Sequence, residues 1–211
     1  MGSHRGFVAA NCQEDATNDL PSCDCRWKQS QKLVKTLIIS ICTGFLSIVS
    51  SAQLPPVPVF QITSPDFVSG GPIPKLFTVD GTGRSPGSRI DGVPQGAKSL
   101  VLIADDPDAP KGTFTHWLVW NLSPDLREII AGSVPREARE GKNSAGKTGY
   151  QPPSPPSGEH RYYFRLYALD APLSLAPGAT RDELEKAMKG HTQKMTEIMG
   201  RYARDAAKQD R

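Results

Sequence analysis

Three carboxylates stand within four residues at Asp105, Asp106 and Asp108, in the run Asp105-Asp106-Pro107-Asp108-Ala109-Pro110. Like charges this close repel, and each proline removes a backbone donor that would relieve them. One reading is structural: a turn whose aspartates accept backbone N–H bonds. The other is chemical: one carboxylate orients an imidazole, fixing its tautomer or holding it protonated. Two histidines stand on strand-like segments, His116 within Phe114 to Leu122 and His160 at the start of His160 to Leu169. An imidazolium beside polar donors binds an anion without help from lysine or arginine. The same residues could instead serve as acid and base in a phosphoester or acyl hydrolase. Two histidines and an aspartate could also ligate zinc with one position left open, although nothing in the spacing demands it.

These residues need elements that hold them. Ser99 to Ala104 is a continuous apolar strand, ended by the acidic proline-rich run, which cannot continue a ladder. At period two, one face of Phe114 to Leu122 carries Phe114, His116, Leu118, Trp120 and Leu122. One face of the third strand carries His160, Tyr162, Phe164, Leu166 and Ala168. Each histidine therefore starts an apolar face, beside a turn. Arg161, Tyr163, Arg165 and Tyr167 take the opposite face, a solvated or dimer-facing surface. From residue 60 to about 170, short β-rich runs alternate with Gly/Pro turns, which predicts an all-β sandwich. Residues 132 to 158, rich in Gly, Pro, Ser and Lys, predict a long loop. The period then changes. Thr180-Arg-Asp-Glu183 fits a capping box. Leu184, Ala187, Met188, His191, Met195, Ile198, Met199 and Tyr202 follow at helical spacing. This predicts a C-terminal helix, or two shorter ones parted at Gly190, with a methionine stripe packed on the sheet.

The chain has 211 residues, 25 basic and 22 acidic, for a net charge of +3; 37% are apolar and 22% charged. These values argue against a disordered polymer, a multi-span membrane protein and a nucleic-acid binder. The two ends of the chain differ. The first 52 residues hold all four cysteines but only one of the 19 prolines. Lys32 and Lys35 precede an uncharged apolar run from Leu37 to Val49, and Ser50-Ser51-Ala52 follows with small residues. Basic flank, short apolar core and small-residue exit form the secretory-signal pattern. A run this short falls below the roughly 20 residues of a spanning helix, although an uncleaved anchor is the alternative. We expect residues 1–31 to be a polar extension upstream of the true start, 32–52 a signal peptide, and 53–211 a single exported domain, periplasmic or secreted.

The motifs carry a resemblance. Asp106-Pro-Asp-Ala-Pro110, His116-Trp-Leu-Val-Trp-Asn121 and Gly158-Glu-His-Arg-Tyr162 resemble the phosphatidylethanolamine-binding protein family, and more narrowly its bacterial Raf-kinase-inhibitor-like branch. The similarity runs from about Phe60 to Tyr202. It includes Gly92-Val-Pro94, Lys98-Ser99 and Gly178-Ala-Thr-Arg-Asp-Glu-Leu184. The resemblance implies a mostly β fold, a Greek-key β-sandwich with peripheral and C-terminal α-helices. It implies no cofactor, no catalysis, and a pocket for phosphate-like anions or phospholipid head groups. By motif match the pocket walls are Asp106, Asp108, Pro110, His116, His160 and Tyr162. Asp106 and Asp108 would orient the imidazoles or meet a ligand amine, the two histidines and the Tyr162 hydroxyl would face the anion, and Pro110 would shape the rim through a cis bond. Inhibition of a protein partner through the rim is a further implication, and a homodimer stays open. One departure falls beside the second histidine. Where the family reads Gly-Pro-x-Pro-Pro, this chain has Gln151-Pro-Pro-Ser-Pro-Pro156, without the glycine that would let backbone approach a ligand.

Overall fold

The computed structural model describes residues 58–204. The extension at 1–31 and the leader at 32–52 lie outside them. Among the described residues no helix is long and apolar enough to cross a membrane.

The central strand explains the architecture. β3 (Ser99–Asp106) is buried along its whole length. Its alternate side chains enter two separate cores: Leu100, Leu102 and Ala104 on one side, Val101 and Ile103 on the other. A strand covered on both faces reads as an unbroken apolar run, as this one does. β4 (Phe114–Leu122), β6 (Arg139–Glu140), β7 (Glu159–Leu169) and β8 (Thr192–Ala203) join it in an antiparallel sheet of order β6-β4-β3-β7-β8. The chain order 3, 4, 6, 7 thus becomes 6-4-3-7 in space, a Greek key, with the last strand returning beside the first. A second sheet, β1-β2-β5, is built from Gln61–Thr63, Ser88–Asp91 and Glu128–Ile129. Phe60, Ile62, Ile90 and Ile129 close over Leu102, Val119, Phe164 and Leu166 to form the inter-sheet core. On the outer face, Leu184 and Met188 of helix α1 (Arg181–Met188) pack on Val101, Ile103, Leu118 and Trp120.

α1 starts where the capping box placed it. Thr180 N–H donates to Glu183 Oε2 at 2.7 Å, and the Thr180 hydroxyl oxygen accepts from Glu183 N–H. The helix does not continue past Met188. Gly190 takes φ 84°, and residues 192–203 form β8, paired with β7 along its length. The predicted C-terminal helix is therefore one short helix and one strand. The decisive pattern is Ile198, Gly200 and Tyr202, all buried at period two. A β-carbon at position 200 would stand 2.5 Å from Ile73 Cγ1. Of the methionine stripe, Met188 is core while Met195 is exposed.

β4 differs from the simple alternation too. Two register shifts against β3 each give β4 one extra residue: Ala104 faces Trp117 while Asp105 faces Thr115, and Leu102 faces Val119 while Leu100 faces Leu122. Each extra residue reverses which side of the sheet the next side chain takes. Leu118 and Trp120 accordingly face α1, whereas Trp117, Val119 and Leu122 face the inter-sheet core. The single face expected to carry His116, Leu118, Trp120 and Leu122 is split. Asn121 sits at the second bulge with φ 57°, and its side-chain amide bonds the backbone N–H and C=O of Leu173.

Candidate functional site

The first bulge puts His116 on the inter-sheet side together with Trp117. There His116 meets Tyr162 of β7 edge-on, ring centroids 5.2 Å apart, and Phe114 at 4.8 Å. Its Nδ1 lies 2.6 Å from the carbonyl oxygen of Gln151. A carbonyl can only accept, so Nδ1 carries the hydrogen. The same residue returns a second bond, Gln151 N–H to the His116 carbonyl at 2.8 Å, which ties Gln151 to β4 at His116. Burial lowers the pKa of His116 below its ordinary value near 6.5, against the bond from Gln151 and the charge of Asp106, which raise it.

His160 opens the inward face of β7. Its Nδ1 is 2.7 Å from Asp106 Oδ2, and both side chains are almost wholly buried. The other carboxylate oxygen of Asp106 accepts the backbone N–H of Asp108 at 2.8 Å, an Asx turn that fixes the carboxylate. Both imidazoles thus spend Nδ1 on the protein. Among the described residues neither Nε2 has a hydrogen-bond partner. The two rings line one pocket of about 270 Å³, with Asp106, Ala109, Pro110, Phe114 and the loop residues Gln151, Pro152, Ser154 and Pro156.

Four of the six residues named from sequence, Asp106, Pro110, His116 and His160, therefore share a cavity. The other two stand apart from it. Asp108 turns outward and holds Arg161 through Oδ1 at 2.7 Å and Oδ2 at 2.9 Å, also accepting its backbone N–H. Those bonds lower its pKa to about 2. Tyr162 lies beneath His116, its hydroxyl buried and without a hydrogen-bond partner among the described residues; burial raises its pKa. No described peptide bond is cis, that of Pro110 included. Nor are the three aspartates uncompensated, because Asp105 points to the opposite side of the sheet, between Arg165 and Arg181. The face holding Arg161 and Arg165 is accordingly taken up by ion pairs with Asp108, Asp105 and Glu197, and Arg165 also covers the Tyr163 ring at 4.6 Å.

The loop 151–156 is the part of the wall that side-chain reasoning missed. Its contribution to His116 is a backbone carbonyl, which no residue type announces; the run of prolines was the available signal. Gly83-Arg-Ser85-Pro-Gly87 has the spacing of a nucleophile elbow, but not its context. Ser85 is buried ahead of β2, its hydroxyl oxygen accepts Gly132 N–H, and no helix follows it. Among the described residues, no three His, Cys, Asp or Glu side chains are grouped to hold a metal.

Comparison with known proteins identifies the family and the fold. The family model described as phosphatidylethanolamine-binding protein matches residues 63–203. A UPF0098 protein of Chlamydia trachomatis is 46% identical over 150 residues, which is 69% of this chain and 99% of that protein. One from Methanothermobacter thermautotrophicus is 48% identical over 143 residues, covering 65% and 95%. The crystal structure of a phosphatidylethanolamine-binding protein homolog from Chlamydia trachomatis matches with a TM-score of 0.68 at 45% identity, over 70% of this chain and 99% of that one. Escherichia coli YbcL, described as a new member of the mammalian family, matches with 0.65 at 25% identity, over 69% and 99%. A Greek-key sandwich with this motif set, matched over nearly all its described length, belongs to the phosphatidylethanolamine-binding protein family.

Proposed function

We propose that the chain is an exported, non-catalytic binding protein whose pocket takes a phosphate-like anion or a phospholipid head group. One observation carries the reading: two imidazoles from different strands, each anchored to the protein through Nδ1 and with Nε2 unpartnered among the described residues, line one small cavity. Asp106 behind His160 supplies the counter-charge that an imidazolium there requires. The volume lies at the lower edge of ligand pockets, suited to a head group rather than to a large organic molecule. Export rests on the basic flank, the apolar run from Leu37 to Val49 and the small residues ending at Ala52.

Contacts to an anion through imidazole N–H groups require a protonated ring, so affinity falls as pH rises. Titration with phosphate and with phosphoethanolamine, followed by NMR at pH 6 and pH 8, tests this. Shifts confined to His116, His160 and their neighbours, larger at pH 6, are expected; a spectrum unmoved by either ligand rejects the reading.

A further inference from the structure

One strand of the large sheet keeps an unpaired edge. β8 ends the order β6-β4-β3-β7-β8 and pairs with β7 on one side only. Its other side is partly taken. Gly70 N–H donates to the Met199 carbonyl at 2.7 Å, Ile73 N–H to the Arg201 carbonyl at 2.7 Å, and Arg201 N–H to the Gly71 carbonyl at 2.9 Å. The odd-numbered residues of this run therefore aim their backbone groups away from β7. The register with β7 is unbroken from Ala203 back to Lys194, so Met195 and Glu197 aim theirs the same way. Among the described residues, nothing pairs with the N–H or C=O of either. Natural edges are blunted by proline, a bulge or a covering segment. Here Gly70–Ile73 covers one end and the register shift between Ala168 and Leu169 closes the other, which leaves Met195-Thr196-Glu197 bare between them. Two exposed apolar side chains flank it: Met195 itself, 46% exposed, and Val68, 75% exposed, in the turn that delivers Gly70.

We propose that this edge is a homodimer interface, in which β8 pairs antiparallel with the same strand of a second copy across a two-fold axis at Thr196. The occupant follows from the spacing. Two outward residues parted by one inward residue are their own antiparallel complement: Met195 faces the partner's Glu197, Glu197 faces the partner's Met195, and four backbone bonds form. Thr196 then meets the partner's Thr196, a pairing that hydrogen-bonds well across strands, and Lys194 meets the partner's Ile198 rather than another lysine. Glu197 keeps its own ion pair with Arg165, so no like charges oppose each other at the axis. Segments of this chain fit the edge worse. Pro55 and Pro56 bring no donor, and the seven residues that follow Arg204 leave from the end that Gly70–Ile73 covers.

Sedimentation velocity of the purified chain over a concentration series tests this, and the mass is expected to rise from one copy to two. Met195→Pro removes an outward donor without touching the β7 ladder, which an edge position tolerates, and should weaken association about tenfold or more. Thr196→Lys and Thr196→Glu each set like charges against each other across the axis. Each alone should stay monomeric, and mixing the two should restore the dimer. A melting temperature near that of the wild type shows that a variant is folded; should Met195→Pro fail this check, the lysine and glutamate pair decides. A wild-type chain that is monomeric throughout overturns the proposal. So does a dimer that the variants leave intact, a lysine and glutamate mixture that does not reassemble, or a single copy carrying a foreign peptide on this edge.

Discussion

Asp106 and Asp108 carry the same charge two positions apart, and their surroundings give them different work. Asp106 faces the cavity and fixes His160; Asp108 faces Arg161 and solvent. The proposed function makes them separable. Asp106→Asn replaces a charge-assisted bond to His160 and should weaken phosphate binding about tenfold or more. Asp108→Asn disturbs a half-exposed ion pair and should leave affinity within about twofold. Equal losses, measured by titration, would sink this division. His116 leaves a mark on stability. Its folded pKa is depressed by burial, whereas the unfolded ring titrates near 6.5. The unfolded chain thus binds more protons in this range, so the His116 contribution is complete above about pH 6.5 and is lost as pH falls towards the lower folded value. In buffer without phosphate, melting temperature should drop between pH 7.5 and 5.5, and His116→Gln should flatten part of that slope; an unchanged slope in the variant refutes the assignment. At this scale the histidines and Asp106 were readable because side-chain type and motif both named them. The carbonyl of Gln151 was not, since backbone atoms leave no trace in residue identity.

Strand β3 announced itself through apolar residues on both faces, and β7 through clean alternation from His160 to Ala168. β4 hid its geometry, because two inserted residues invert the parity on which alternation depends. The bulges have a function: the first turns His116 and Trp117 to the same side, so that one lines the pocket while the other enters the core. β8 was misread for another reason. Its apolar positions fit a helical stripe equally well, and only the open edge of β7, invisible in a local window, decides for a strand. β1, β2 and β5 are at most four residues long, too short for a period to register. The second bulge offers a direct test. Asn121 holds φ 57° and makes two hydrogen bonds to Leu173. Asn121→Ala loses both bonds and keeps the unfavourable backbone, for a cost of about 2–4 kcal/mol. Asn121→Gly relieves the backbone and should cost less. Urea unfolding that ranks alanine at or above glycine contradicts the bulge geometry.

Across the molecule, the end of β3 divides the two sides of the large sheet. Asp106 serves the pocket side, and its neighbour Asp105 serves the helix side, where its fully buried carboxylate takes Arg165 of β7 at 2.7 Å and Arg181 of α1 at 3.0 Å. Arg181 also reaches the Thr115 hydroxyl beside the first bulge, and Arg165 extends to Glu197 of β8. One buried charge thereby ties α1, β3, β4, β7 and β8 together at the edge of the site. Removing it leaves two partly buried guanidinium groups facing each other without their counter-ion. Loss of one partner from a buried ion pair typically costs 3–5 kcal/mol; because both arginines keep about a quarter of their surface in water, Asp105→Asn should cost about 2–3 kcal/mol. For a domain of this size that is a fall in melting temperature of roughly 5–10 °C. Adding Arg181→Gln to the Asp105→Asn background should then cost less than in the wild type, because the repulsion it relieves is absent there. Calorimetry on the four proteins of this cycle measures the coupling. Strict additivity, or an unshifted melting point for Asp105→Asn, would mean that α1 is held by its apolar face alone and that the ion network does not brace the floor of the pocket.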